Sequence, residues 1–243
     1  MVRSLVFDLD GTLVRTEDLK ALSYARAALE LRPGAFSERD VIEGYQNVIG
    51  QSRQEVSESL LRQFELGEAL VKRRKNGEPL WGTFASIRLG FYEQMLSNQE
   101  VLAQYECPYN VALLNRSKSI GLRSGLATMS HAREAFRVLD LLGIGEAFGS
   151  ITTREDVERG KPHPEIYELS ARRLNVLPFE CLVIEDFPSG ITAALAAGCH
   201  CIAVTTDLTR KKVHESGLLS PEWIVDDPAR LLDVATRRIG QES

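Results

Sequence analysis

The hydrophobic and polar positions of the chain alternate between short apolar runs and amphipathic stretches. Apolar runs typical of buried strands lie at residues 5–7, 122–128, 150–152, 181–184, 201–205 and 223–225. Helical patterns lie between the later runs, near residues 131–142, 163–175, 188–197 and 228–239. Strands and helices that alternate at this spacing predict an α/β fold with a doubly wound parallel sheet. Ligands of such sheets bind beyond the carboxyl ends of the strands.

The stretch from about residue 15 to residue 100 departs from this alternation and has a helical pattern throughout. Residues typical of helix starts are Thr16, Ser37 and Ser52. Ser52 with Glu55 forms a capping box, and Asn76 before Gly77 indicates a helix stop, with a further helix near 80–97. We predict an α/β core of residues 1–14 and 101–243. Residues 15–100 are expected to form an inserted all-helical cap domain that covers the strand ends as a lid.

Composition and charge exclude some classes of protein. The chain has 243 residues, of which 44% are hydrophobic and 26% charged, and its net charge of −5 argues against a general nucleic-acid binder. No apolar run approaches the ~20 residues of a membrane span, and the N-terminus enters a strand without a signal-peptide pattern. We therefore expect a cytoplasmic protein with no membrane partner. The Cys199-His200-Cys201 segment lacks a second ligand pair at zinc-site spacing, which favours core cysteines.

Asp8 and Asp10 follow the first apolar run and carry the strongest chemical signal. Strand side chains alternate between faces, so the two carboxylates point roughly the same way and repel each other unless a cation or a proton intervenes. The pair suits a nucleophile with an acid/base neighbour and a magnesium ion. Solvated acids at a strand end are the ordinary alternative. A calcium loop is disfavoured, because Gly11 is fourth from Asp8 and Leu19 occupies the twelfth position.

Polar residues also follow three later apolar runs. Thr128 and Ser130 precede a helix whose first N–H groups suit a phosphate. Lys161 lies in a proline-flanked turn, with Pro164 predicted at the first helical position. Glu185 and Asp186 end the fourth run and could complete an oxygen shell for magnesium. Taken singly, these motifs are explained more simply by a helix cap, an exposed lysine and acids that stabilise a helix start.

Together, the four motifs resemble those of the haloacid dehalogenase-like superfamily of phosphotransferases in order and spacing. The insert after the first motif is similar to that of the group with beta-phosphoglucomutase and small sugar phosphatases. The resemblance implies a Rossmann-like core and a helical cap. It implies that Asp8 is the nucleophile that forms an aspartyl-phosphate and that Asp10 is the general acid/base. Thr128 would hydrogen-bond the transferring phosphoryl group, and Lys161 would neutralise charge beside the nucleophile.

The resemblance also implies a cofactor and substrate contacts. Mg²⁺ would be held by Asp8, the backbone carbonyl of Asp10 and Asp186, with Glu185 as a further ligand or a supporting group. The candidate substrate-binding residues are Ser130, the hinge residue Thr16, and Arg53 in the segment Gly50-Gln51-Ser52-Arg53. The counterpart of a substrate-binding lysine in the cap is ambiguous between Lys75 and Arg88.

Asp10 excludes dehalogenases, which lack this second acid, and leaves phosphoryl chemistry. Lys20, His131 and Phe187 depart from the mutase pattern. We therefore expect a Mg²⁺-dependent phosphatase that acts on a small phosphorylated metabolite, such as a sugar phosphate, as a monomer or weak homodimer. A sugar phosphomutase is the main alternative. A phosphorelay receiver would be about half this length, and the intact acids argue against a catalytically inactive binding or regulatory relative.

Overall fold

The computed structural model describes residues 1–74 and 77–240, and these residues contain one sheet of six parallel strands. The strands are β1 (Ser4–Phe7), β2 (Arg123–Ala127), β3 (Ser150–Thr152), β4 (Cys181–Glu185), β5 (His200–Val204) and β6 (Ile224–Val225). Their order is β3-β2-β1-β4-β5-β6, and each neighbouring pair is parallel. The predicted doubly wound α/β fold is confirmed. Each predicted apolar run forms a strand whose ends agree within one residue.

The two central strands, β1 and β4, are buried along their whole length. Strands covered on both faces of a parallel sheet are continuously apolar, which explains why their sequences do not alternate. Phe7 of β1 pairs with Ile184 of β4. The chain order of the strands reverses between β1 and β4, and this switch point is where open α/β sheets bind ligands. Asp8 and Glu185 therefore emerge side by side at the switch point.

Helices make up most of the remaining chain. They are α1 (Thr16–Leu31), α2 (Glu38–Gln46), α3 (Arg53–Gln63), α4 (Gly67–Val71), α5 (Leu80–Leu96), α6 (Gln99–Ala103), α7 (Pro108–Ser119), α8 (Ala132–Leu142), α9 (Glu165–Arg173), α10 (Pro188–Ala196), α11 (Arg210–Ser216) and α12 (Leu231–Gly240). Helices α8, α9, α10 and α12 were predicted, whereas α4, α6, α7 and α11 were not. Helices α4, α6 and α11 each span less than two full turns. Such short helices give no clear periodic pattern of apolar residues in the sequence.

Two predicted helix starts are shifted by one residue. Thr16 is the first residue of α1 rather than the residue before it, so Glu17 and Asp18 still lie in the first turn. Pro164 precedes α9, which begins at Glu165, so the predicted first helical position of Pro164 is wrong. Pro188 does open α10.

Contacts between residues divide the chain into two compact units. The first unit comprises Met1–Arg15 and Ala103–Ser243 and contains the sheet. Its core packs α9 and α10 against the sheet and includes Cys181, Cys199 and Cys201, as expected for core cysteines. The division of roles between a catalytic core and a cap remains a prediction.

The second unit, Thr16–Leu102, consists of helices and their connections in its described residues. Capping boxes begin α2 at Ser37 and α3 at Ser52, and the predicted box at Ser52 is confirmed by its reciprocal hydrogen bonds with Glu55. The predicted helix stop at Asn76 lies outside the described residues. Among the described helices of the chain, none combines the length and apolar character needed to cross a membrane.

Candidate active site

The acidic motif begins one residue after β1. The backbone N–H of Asp8 donates to the carbonyl of Ile184 at 3.0 Å, which continues the pairing of β1 with β4 past the end of the strand. Leu9 is buried, whereas Asp10 is only half-buried. Gly11 has a φ of +90°, and a Cβ atom there would lie 2.1 Å from Oδ2 of Asp186. Both the backbone conformation and the space beside Asp186 therefore require glycine at this turn.

Lys161 is the buried cation of the site. Its Nζ atom donates to Oδ1 of Asp8 at 2.6 Å, to Oε1 of Glu185 at 2.7 Å and to the carbonyl of Ala127 at 2.9 Å. The side chain is only 6% exposed. Since an ammonium group has three N–H bonds, these three acceptors satisfy it fully. The lysine is thus a fixed charge next to Asp8, and the interpretation of Lys161 as an exposed lysine is excluded.

Glu185 accepts hydrogen bonds on both carboxylate oxygens. Oε1 accepts from Nζ of Lys161 and from the hydroxyl of Tyr167, the latter at 2.6 Å. Oε2 accepts from the backbone N–H groups of Asp186 at 3.0 Å and Phe187 at 3.3 Å. A Cβ atom on Gly190 would lie 1.7 Å from Oε1, so the first turn of α10 leaves room for this carboxylate only because residue 190 is glycine.

Burial and the neighbouring charges shift the pKa values of the site. Burial raises the pKa of Asp8 to about 7, with contributions from Glu185 and Asp10, against the opposing effect of Lys161. Burial alone would lower the pKa of Lys161, but the carboxylates of Asp8 and Glu185 raise it above its usual value. Burial and Glu185 raise the pKa of Tyr167 well above its ordinary value, so its hydroxyl is a donor at neutral pH. The negative charge of the buried carboxylates is therefore not fully balanced by Lys161.

Asp10 is held by hydroxyl groups that follow β2. Its Oδ2 atom accepts from the hydroxyl of Ser130 at 2.5 Å and from that of Thr128 at 3.2 Å. The hydroxyl of Thr128 also accepts from the backbone N–H of Ser130 at 3.0 Å. Helix α8 has His131 as its N-cap residue, so the interpretation of Thr128 as an ordinary N-cap is wrong. These contacts orient the Asp10 carboxylate separately from the Asp8–Lys161 pair.

The donor set beside Asp8 fits a hard divalent cation. Asp8, Glu185 and Asp186 are all buried, and each offers an oxygen atom within 4.8 Å of the others. Among the described residues, these three carboxylates share the space with the ammonium group of Lys161, and an oxygen-only set of this kind suits magnesium. The carboxylate of Asp10 is not part of this group. Its predicted role as a ligand concerns its backbone carbonyl and remains a prediction.

The predicted substrate-binding residues Thr16 and Arg53 belong to the helical unit. Thr16 is buried, and Arg53 is exposed at the first position of α3. Arg88 of α5 is buried, and its guanidinium carbon lies 4.9 Å from the ring centroid of Tyr24 and 4.5 Å from that of Tyr92. Its Nε atom has no hydrogen-bond partner among the described residues. Lys75, the alternative to Arg88, lies outside the described residues.

Tyr167 and Gly190, which both lie against Glu185, were not predicted as site residues from the sequence. An aromatic residue at an apolar position of a helix indicates core packing, and its hydroxyl alone suggests a polar partner without naming it. Gly190 lies five residues after Glu185, and only the turn of the chain into α10 brings the two together. Because glycine is unfavourable in a helix, its presence near the start of α10 was the one sign in the sequence that this position has a special role.

The parallel sheet carries a buried lysine–carboxylate cluster at its switch point, the place where open α/β sheets bind ligands. A family model described as haloacid dehalogenase-like hydrolase matches residues 2–198. The chain therefore belongs to the haloacid dehalogenase-like hydrolases, and the predicted family and enzyme class are confirmed.

Similar proteins include two phosphatases. The chain is 30% identical to hexitol phosphatase A of Escherichia coli over 222 residues, which cover 89% of each chain. It is 30% identical over 197 residues to phosphorylated carbohydrates phosphatase of Thermotoga maritima, covering 81% of this chain and 82% of that one. The solved beta-phosphoglucomutase of Clostridium difficile shares the fold, with a TM-score of 0.67, 24% identity and coverage of 99% of this chain and 100% of that chain. This protein is a phosphatase of phosphorylated compounds.

Proposed function

We propose that this protein is a Mg²⁺-dependent phosphatase that hydrolyses a small phosphorylated metabolite, such as a sugar phosphate, through an aspartyl-phosphate on Asp8. One observation carries the proposal, namely the buried Asp8 carboxylate held by Lys161 within a three-carboxylate cluster. The similarity to phosphatases of hexitol and carbohydrate phosphates supports the class of substrate. The cytoplasmic location and the monomeric or weakly dimeric state stay predictions.

Asp8 acts as the nucleophile. One of its oxygens attacks phosphorus, the bond from phosphorus to the leaving oxygen breaks, and an acyl phosphate forms on Asp8. A carboxylate and a phosphate dianion repel each other, and Lys161 reduces that repulsion because its ammonium group is already 2.6 Å from Oδ1. Burial of the lysine strengthens this effect, since little water screens it.

Asp10 acts as the general acid and then as the general base. It donates a proton to the leaving oxygen in the first step and takes a proton from the attacking water in the second. Water then breaks the acyl phosphate at phosphorus, which releases inorganic phosphate and restores both carboxyl groups. The hydroxyls of Thr128 and Ser130 support this role because they orient the Asp10 carboxylate. The predicted contact of the Thr128 hydroxyl with the transferring phosphoryl group and the predicted substrate-binding role of Ser130 remain part of the proposal.

Asp8 and Asp186 would hold the magnesium ion, with the backbone carbonyl of Asp10. When bound, the ion would supply positive charge to the transferring phosphoryl group. Glu185 fits a supporting role better than direct ligation, since both of its oxygens already accept two hydrogen bonds each. Its carboxylate holds Lys161 and thereby contributes to the same balance of charge.

Phosphate release from a panel of phosphorylated sugars, sugar alcohols, nucleotides and small acids tests the proposal. We expect release from one class of compound, which stops in excess EDTA and returns with added Mg²⁺. Undiminished rates in EDTA would contradict the role of the metal. Glucose 1-phosphate with a trace of the bisphosphate tests the mutase alternative, because conversion to glucose 6-phosphate without phosphate release would replace the phosphatase proposal.

Borohydride trapping tests the intermediate directly. Reduction of an acyl phosphate during turnover converts the modified aspartate to homoserine, which mass spectrometry locates in the chain. We expect the label at Asp8, and no turnover by Asp8→Asn. Asp233→Asn is the matched control, because Asp233 is exposed on α12 and should leave turnover unchanged. Turnover by Asp8→Asn, or a label on another residue, would overturn the mechanism.

A further inference from the structure

Tyr167 is a fully buried aromatic residue whose polar end enters the charged cluster. It lies on α9 and is 1% exposed. Its ring packs in the apolar core between helix and sheet, a position that phenylalanine would fill equally well. The hydroxyl donates to Oε1 of Glu185 at 2.6 Å. The packing of the core therefore does not require a hydroxyl at this position, and the hydrogen bond to Glu185 is what the hydroxyl provides.

The ring and the hydroxyl of Tyr167 act on the same ion pair. Oε1 of Glu185 accepts from both Tyr167 and Lys161, and the centroid of the Tyr167 ring lies 5.0 Å from Nζ of that lysine. A ring face attracts a cation at this distance. The donated hydrogen bond withdraws negative charge from Oε1, which weakens the hold of Glu185 on the ammonium group. More of the lysine charge then remains available to Asp8.

We infer that Tyr167 is a positioning residue that keeps the ammonium group of Lys161 shared between Glu185 and Asp8. This inference rests on the proposed function, in which Lys161 neutralises charge at the nucleophile. Without the hydroxyl, Oε1 of Glu185 has an unfilled acceptor site in a buried environment. The carboxylate then binds the ammonium group more tightly and turns it away from Oδ1 of Asp8.

Tyr167→Phe tests the inference because it removes the hydroxyl and keeps the ring. We expect kcat to fall about tenfold with KM within twofold, since a hydrogen bond to a charged group is lost and no substrate contact changes. The matched control is Ser117→Ala, which removes another buried hydroxyl of the same unit. The hydroxyl of Ser117 forms a hydrogen bond with that of Ser124 at 2.5 Å in the core. Loss of the Ser117 hydroxyl should therefore lower the free energy of unfolding and leave kcat unchanged.

The side-chain ¹⁵N–¹H signal of Lys161 gives a second measurement that needs no substrate. The full ¹⁵N-labelled chain should show a slowly exchanging ammonium signal, assigned by its loss in Lys161→Met. We expect Tyr167→Phe to shift this signal and to speed its exchange with water, whereas Ser117→Ala leaves it in place.

The two measurements together decide the inference. A lower kcat with a shifted Lys161 signal supports it. An unchanged kcat, or an unchanged Lys161 signal, overturns it, because the hydroxyl then does not act through the lysine. If the wild-type protein releases phosphate from no substrate, the proposed function fails. The Lys161 signal would still show whether Tyr167 positions the ammonium group.

Discussion

Gly190→Ala is expected to disrupt the site although it replaces no charged residue. The new Cβ atom would lie 1.7 Å from Oε1 and 2.0 Å from Cδ of Glu185. Because a Cβ atom keeps at least 3.0 Å from such neighbours, the carboxylate must retreat by more than an ångström. Its bonds to Lys161 and Tyr167, now 2.7 and 2.6 Å long, would then break.

The loss should be large because the displaced carboxylate is buried and well bonded. Two hydrogen bonds that involve a charged group contribute about 1.5–3 kcal/mol each, and disruption of a buried ion pair costs about 3–5 kcal/mol. We therefore expect the free energy of unfolding to fall by about 3–5 kcal/mol. That corresponds to a melting temperature roughly 10 °C lower for a chain of this size. With Lys161 misplaced, kcat should fall at least about a hundredfold, equivalent to ~2.7 kcal/mol.

Gly90→Ala is the matched control for this prediction. Gly90 lies exposed inside α5, and a Cβ atom there meets nothing within 4 Å. The same substitution should therefore stabilise the helix by about 0.5–1 kcal/mol and leave kcat unchanged. Thermal melting and phosphate release measure both variants. Wild-type stability and turnover in Gly190→Ala would refute the reasoning, because the carboxylate would then have room to move at no cost.

Three further substitutions have expected outcomes. Arg53→Ala should raise KM or lower kcat on phosphosugars, and an unchanged kcat/KM would leave Arg53 a structural residue. Arg88→Met removes a buried guanidinium whose Nε atom has no partner among the described residues but which lies over the rings of Tyr24 and Tyr92. These two effects on stability oppose each other, so the melting temperature should change by less than about 5 °C while KM increases. A fall of about 10 °C would identify Arg88 as structural instead. A hydrogen bond from Arg173 lowers the pKa of Asp156 to about 2. The carboxylate of Asp156 therefore stabilises the fold above its ordinary pKa of 3.8, by about 1 kcal/mol after solvent screening, and this is lost as pH falls toward 2. Melting of Asp156→Asn should differ from wild type at neutral pH and converge with it near pH 2, and a difference independent of pH would contradict the assignment.

Local signals in the sequence were sufficient to predict the strands and to place the chemical motifs at the ends of those strands. Buried parallel strands are short apolar runs, and polar residues at their carboxyl ends meet at one edge of the sheet. The capping box at Ser52 is likewise a local signal, because its partners lie three residues apart. The pairing of β1 with β4, which places Asp8 beside Glu185, was not predicted from the sequence.

Contacts that depend on how helices pack against the sheet could not be predicted from the sequence. The direction in which Tyr167 points depends on how α9 lies on the sheet, and periodicity indicates only that the residue is buried. The same holds for Gly190, whose role depends on the path of the chain from β4 into α10. Pro164 was misplaced by one residue because helix boundaries are the least certain part of such predictions.

The central place of β1 has a consequence for the order in which the site can form during synthesis. Lys161 and Asp8 are separated by 153 positions, and Ser130 and Asp10 by 120. Since synthesis proceeds from the N-terminus, Asp8 leaves the ribosome well before its buried neighbours Lys161 and Glu185 are made. A nascent chain that ends before β4 carries both aspartates with one flank of β1 uncovered. The cluster of Asp8, Glu185 and Asp186 should therefore form in a single late step, when β4 pairs with β1.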